Sequence, residues 1–151
     1  MIILPLGDNV EKKTFPTATI FLIGLNIIAF LYEMRLMIQD DGELAIMEFF
    51  SAWALVPGDL PKGKIIGLVS HMFLHGGLMH ILGNMLVFWA FARTLEDALG
   101  TVYFTMLYLI AGVAGGFTHA MFNAGSDVPL VGASGAVAGA IGAYCFTFCA
   151  L

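Results

Sequence analysis

Ser134 has the residue type and the surroundings of a nucleophile. It stands in the run Gly132-Ala133-Ser134-Gly135, where glycines leave space around a small hydroxyl. The run opens an uncharged stretch that continues to Leu151, and a polar group in an apolar stretch needs a partner or a task. Covalent attack by the hydroxyl is one such task. Helix packing is the alternative, because Gly135 and Gly139 form a Gly-x-x-x-Gly pattern that brings a second helix close.

His80 and Asn84 are the polar residues best suited to assist such a serine. On a helix they lie four positions apart, about 40° around the axis, and therefore share one face. Imidazole and amide N–H groups stabilise the oxyanion of a tetrahedral intermediate. The pair is also compatible with simple hydrogen bonding between membrane helices, worth about 0.6 kcal/mol per bond.

His71 and His75 have the same spacing and present a different face. Two histidines at this distance suit zinc, but the sequence lacks the His-Glu-x-x-His pattern of zinc proteases. A third ligand, His80, is available only if the helix breaks at Gly76-Gly77. That glycine pair indicates either a helix that continues through it or a loop that leaves His71 and His75 outside. We expect the two histidines to be structural, with a metalloprotein or metal transporter as the alternative, and we predict no metal or cofactor.

The composition indicates a membrane protein. Of 151 residues, 60% are hydrophobic and 11% are charged, whereas soluble domains carry about 25% charged residues. The six lysines and arginines are scattered and form no basic stripe, which excludes nucleic acid as an expected partner. The predicted fold class is all-α, a polytopic transmembrane helix bundle in a lipid bilayer.

Four uncharged stretches are long enough to cross a bilayer as helices. Between the first two lies a charged segment with an apolar cluster around Trp53, which indicates an amphipathic piece at the membrane interface. We therefore expect a single domain over residues 1–151 with an interfacial loop at 35–70. The predicted helices lie near 17–34, 76–93, 101–120 and 133–151.

Basic residues give the expected orientation. Lys12 and Lys13 precede the first span and Arg93 ends the second, so the positive-inside rule predicts a cytoplasmic N-terminus. Ser134 then lies just below the outer surface. Short ends without an organelle-targeting segment favour a prokaryotic plasma membrane.

Taken together, these motifs resemble those of the rhomboid family of intramembrane serine proteases. The order and spacing of three groups match that family, and the resemblance covers nearly the whole chain. The groups are His71, His75, His80 and Asn84 in the second stretch; Glu96 and Gly100 before the third; and Gly132, Ser134 and Gly135 at the start of the fourth.

The resemblance implies a six-helix core that cleaves transmembrane protein substrates near the membrane surface. It implies that Ser134 is the nucleophile and that His80, Asn84 and the Ser134 backbone N–H hold the oxyanion. It also implies that Glu96 and Gly100 are structural.

The same resemblance implies a general-base histidine on a sixth core helix, which these 151 residues do not include. We expect a fragment of a longer protease, inactive alone, because Leu151 ends the sequence inside an apolar stretch. His119 is read as a loop or helix-end residue. The alternative is a non-catalytic pseudoprotease that binds membrane proteins.

Overall fold

The computed structural model describes residues 14–148, and within this range the regular structure is helical. Two short 3-10 helices, Pro57–Lys62 and His71–Phe73, lie between the second and fourth α-helices. No strand forms between residues 14 and 148, where the β-pairing is limited to one bridge between Leu55 and Leu130. The prediction of an all-α fold is confirmed. The helices are α1 (Thr17–Met37), α2 (Gly42–Trp53), α3 (Gly67–Ser70), α4 (Leu78–Leu99), α5 (Thr101–Phe122) and α6 (Ser134–Phe148).

Three of these helices are long and apolar enough to cross a membrane. Helices α1, α4 and α5 contain 21, 22 and 22 residues, and at 1.5 Å per residue each covers about 30 Å of hydrocarbon. Helix α6 is apolar and has 15 residues within the described range. Lys12, Lys13 and the end of the helix predicted at 133–151 lie outside the described residues.

The helix boundaries differ from the expected ones at α4. This helix begins at Leu78, so Gly76-Gly77 belong to a loop and His75 lies outside the helix. It also continues beyond Arg93 to Leu99, although the segment carries charge. The charge is tolerated inside the bundle because Glu96 is buried and accepts hydrogen bonds from α1.

The segment expected to be an interfacial loop contains helical structure. Helix α1 runs on to Met37, and α2 follows after a short turn. The ring of Phe49 on α2 meets the ring of Tyr32 on α1 edge-on, with centroids 5.4 Å apart. Aromatic contacts of this kind hold α2 against the end of α1.

Helices α1 and α4 run antiparallel, which gives the bundle two recognisable ends. The Glu96 end is the one where Glu96 of α4 meets Thr19 of α1. The Ser134 end is the one where α1 finishes beside His75 and α6 begins. Between the ends, the ring of Phe88 packs on those of Phe104 and Tyr108, with centroids 6.0 and 5.2 Å away.

Small residues allow α5 and α6 to approach closely. A Cβ added to Gly115 would lie 3.0 Å from the Cα of Gly135, and one added to Gly139 would collide with the Cβ of Ala111. Close backbone contact through small residues is a common packing mode of membrane helices. It places the start of α6 directly against α5.

Candidate active site

Ser134 is the first residue of α6, and the loop before it is fixed by three backbone hydrogen bonds. Leu55 N–H donates to Leu130 O at 3.1 Å, Leu130 N–H donates to Leu55 O at 2.8 Å, and Gly132 N–H donates to His71 O at 2.8 Å. Gly132 has a φ of +124°, a conformation that favours glycine. The segment between α1 and α4 therefore positions the serine.

Ser134, His80 and Asn84 line one open cavity of about 400 Å³. Ser134 itself is exposed and Asn84 is 9% exposed. The remaining walls are mainly apolar, with Met79 and Ile141 among them. The structure thus brings together the three residues that the sequence predicted to share a site.

The His80 ring lies directly against the Gly132 backbone. A Cβ on Gly132 would come within 2.7 Å of both Cε1 and Nε2 of that ring. The Asn84 amide donates one hydrogen bond from Nδ2 to His80 O at 3.0 Å. Because the amide nitrogen carries two hydrogens, the second remains for another acceptor.

His71 contacts the loop that precedes Ser134. Its Nδ1 lies 2.8 Å from Gly67 O, and its own carbonyl receives the Gly132 N–H. A Cβ on Gly116 would come within 2.7 Å of the His71 ring, so α5 also encloses it. Burial lowers the pKa of His71, which keeps the imidazole neutral near pH 7.

His75 connects helix α1 to the site. Its backbone N–H donates to both carboxylate oxygens of Glu33, at 3.1 and 3.2 Å. Its ring is 5.1 Å from the His80 ring, at an interplanar angle of 67°. Burial, with a smaller effect from the His80 charge, lowers the pKa of His75 to about 4. Within residues 14–148 neither ring nitrogen of His75 has a hydrogen-bond partner.

A second cavity, of about 220 Å³, lies on the other side of Ser134. It is lined by His71 and His119, together with Gly116 and Gly132. His119 is in the last turn of α5, where the sequence placed a loop or helix-end residue. The sequence did not predict that it faces the same space as Ser134.

The described part of the chain offers little support for a metal centre. No group of three or more histidine, cysteine, aspartate or glutamate side chains there could hold an ion. His71 and His75, the two histidines of the zinc hypothesis, make separate contacts with Gly67 and Glu33.

At the far end of the bundle, Glu96 joins three helices. Its carboxylate accepts from the backbone N–H groups of Ala18 and Thr19 at 2.8 Å, and from the Thr19 hydroxyl at 2.8 Å. The Thr101 hydroxyl donates to it at 2.9 Å. Gly100 makes the turn into α5 with a φ of +80°. A carboxylate at the N-terminus of α1 satisfies free N–H groups and complements the helix dipole.

The sequence matches a model of a known protein family. The family model of the Rhomboid domain matches residues 62–150, which is more than half of the sequence. The chain belongs to the rhomboid family. The resemblance predicted from the motifs is confirmed, and with the apolar helices it makes this rhomboid an integral multi-pass membrane protein.

Two of the similar proteins are named as rhomboid proteases. This rhomboid is 30% identical over 129 residues to the rhomboid protease GluP of Bacillus subtilis, which covers 85% of this chain and 24% of that protein. It is 30% identical over 116 residues to the rhomboid protease GlpG of Yersinia enterocolitica, covering 76% and 39%. The mitochondrial Rhomboid protein 1 of Saccharomyces cerevisiae is 27% identical over 142 residues, covering 90% and 38%.

The chain thus spans well under half the length of these rhomboid relatives. Family membership therefore rests on the matched domain.

Sequence reasoning assigned no role to Glu33, which lies inside the helix predicted near 17–34. The structure buries it at 1% exposure on α1. A signal was present: Thr19, Asn26 and Glu33 recur every seven residues, which places them on one face of a helix. All three are buried, so this face forms a polar seam along α1.

Proposed function

We propose that this rhomboid domain is the catalytic part of an intramembrane serine endopeptidase that cleaves transmembrane proteins. The observation that carries the proposal is the shared cavity of Ser134, His80 and Asn84. A hydroxyl that can attack a carbonyl lies there beside two side chains that can donate to an oxyanion.

The chemistry follows from these positions. Ser134 Oγ bonds to the substrate carbonyl carbon while a base removes its proton, and the carbonyl oxygen becomes an oxyanion. His80 N–H and the free N–H of Asn84 donate to that oxygen. The C–N bond then breaks, the amine leaves with a proton, and water hydrolyses the acyl-enzyme. The proposed base is the histidine that the family resemblance places on a later helix.

Orientation and compartment belong to the same proposal. The Ser134 end faces the outer side of a prokaryotic plasma membrane, and the N-terminus is cytoplasmic. This arrangement puts the nucleophile where a substrate helix emerges from the lipid.

The test is cleavage of model single-span membrane proteins by the complete gene product in liposomes. We expect a defined product from the unaltered protein and none from Ser134→Ala. Ser51→Ala is the matched control, because Ser51 is exposed on α2 and should leave cleavage unchanged. Stable binding of these substrates by a folded protein that never cleaves them would favour the pseudoprotease alternative instead.

A further inference from the structure

Glu33 is a buried carboxylate that lacks the partners such a group normally has. It is 1% exposed, and within residues 14–148 its hydrogen-bond donor is the His75 N–H, shared between its two oxygens. Within residues 14–148 no basic side chain forms an ion pair with it. An ionisable residue in a membrane span is costly and marks function by default.

The residue that Glu33 holds is buried and lies in the loop before α4. His75 is followed by Gly76 and Gly77, which restrict the backbone least of all residues. The His75 ring has no hydrogen-bond partner in the described part of the chain. Its orientation therefore depends on its backbone anchor and on packing.

The His75 ring in turn contacts a residue of the candidate oxyanion site. It meets the His80 ring edge-on at 5.1 Å, and the opposite neighbour of the His80 ring is the backbone of Gly132. Contacts thus run continuously from the Glu33 carboxylate through both rings to the loop that presents Ser134.

We propose that Glu33 is a positioning residue for the oxyanion site. Its carboxylate fixes the His75 backbone, the His75 ring limits the orientation of the His80 ring, and His80 thereby keeps its donor directed at the cavity. This inference rests on the proposed roles of Ser134 and His80. A purely structural Glu33 would instead tie α1 to the loop and affect stability alone.

The first experiment measures the NMR signals of the His80 ring nitrogens and does not depend on catalysis. Nitrogen NMR of histidine-labelled protein in lipid nanodiscs compares the unaltered chain with Glu33→Leu and Glu33→Gln. We expect Glu33→Leu to shift the His75 and His80 ring signals, and Glu33→Gln to restore them, because the amide oxygen still accepts the His75 N–H. Asn26→Leu is the matched control, since Asn26 is a buried polar residue of the same seam.

Unchanged His80 signals in Glu33→Leu, with a loss of stability like that of Asn26→Leu, would overturn the proposal. If Glu33→Leu does not fold, His75→Ala tests the same contacts and should shift His80, whereas His75→Phe keeps an aromatic ring and should not. Unshifted His80 signals in His75→Ala would equally overturn it.

The second experiment measures the rate at which a fluorophosphonate labels Ser134 in the complete gene product. We expect Glu33→Leu to slow labelling about 10- to 100-fold, because small misplacements of catalytic groups have effects of that size. In a His80→Ala background the same change should have no further effect. Additive effects would show that Glu33 acts independently of His80. Absence of labelling in the unaltered protein would count against the proposed function, while the NMR comparison would still decide the role of Glu33.

Discussion

A buried carboxylate lies at each end of helix α1: Glu96 of α4 at its start and its own Glu33 near its finish. The two carboxylates differ in how many hydrogen bonds they accept. At the Glu96 end, the carboxylate accepts four hydrogen bonds of 2.8 to 2.9 Å from two helices. At the Ser134 end, Glu33 receives one backbone N–H shared between its oxygens, at 3.1 and 3.2 Å. One end is saturated and the other is not.

This difference suggests a division of roles, in which the Glu96 end contributes mainly to stability and the Ser134 end to the proposed function. A fully satisfied buried network rigidifies a fold, whereas groups without partners persist where a site needs them. The Glu96 end locks α1, α4 and α5 together. Under the proposed function, the Ser134 end keeps donors on His80 and Asn84 available to a substrate oxyanion. We therefore expect substitutions at the two ends to affect different measurements.

The largest expected effect on stability is at Glu96. Glu96→Leu leaves the N–H groups of Ala18 and Thr19 unpaired and should lower the free energy of unfolding by about 4 kcal/mol. Glu96→Gln keeps an acceptor oxygen and should lose about half as much. Unfolding in mixed detergent micelles measures both. A loss below about 1 kcal/mol for the leucine variant would remove the distinction between the two ends.

Asn84→Ala should have a large effect on the rate of fluorophosphonate labelling and a small effect on stability. Loss of an oxyanion donor typically lowers the rate about 100- to 1000-fold, while loss of its hydrogen bond to His80 O should cost only about 0.6 kcal/mol of stability. Labelling rate and unfolding, measured on the same sample, test this pair of values. A variant that is much less stable but reacts normally would place Asn84 with the structural residues.

Gly132→Ala should damage the Ser134 end through sterics. The new Cβ would meet the His80 ring at 2.7 Å in a backbone conformation of φ +124°, so we expect a stability loss of about 1–3 kcal/mol and slower labelling. Gly142→Ala is the control, because a Cβ there meets nothing within 4 Å; it should be neutral or gain up to about 1 kcal/mol. Equal behaviour of the two variants would contradict the close contact with His80.

The smallest expected effect is a dependence of stability on pH. Because the pKa of His75 is lowered to about 4 from 6.5, the unfolded chain binds a proton in that window that the folded chain does not. Stability should therefore fall as the pH drops below 6.5, by about 1 kcal/mol over the first pH unit. Glu33 and His80 are the ionisable groups in contact with His75.

His75→Phe should reduce this slope, and His71, whose pKa is shifted in the same direction, accounts for part of the remainder. Unfolding curves between pH 5 and 7 provide the measurement. A slope that is unchanged in His75→Phe would show that the ring is not held neutral by burial.

The sequence predicted the helices and singled out three residues that line one cavity, Ser134, His80 and Asn84, but it did not predict what surrounds them. Long apolar stretches identify spans because a bilayer imposes a minimum length, and spacing alone put His80 and Asn84 on one face. Glu33 was missed because its burial depends on which face of α1 meets the rest of the bundle, and spacing along one helix does not decide that. His119 was missed because its approach to Ser134 depends on how α5 packs on α6.

The most direct test of the account is the site of covalent modification after a fluorophosphonate reacts with the complete gene product in membranes. Peptide mass spectrometry should locate the adduct on Ser134, and labelling should persist in Ser51→Ala and disappear in Ser134→Ala. An adduct on another residue, or a folded protein that stays unmodified, would contradict the claim that the Ser134 end is the catalytic end of this rhomboid.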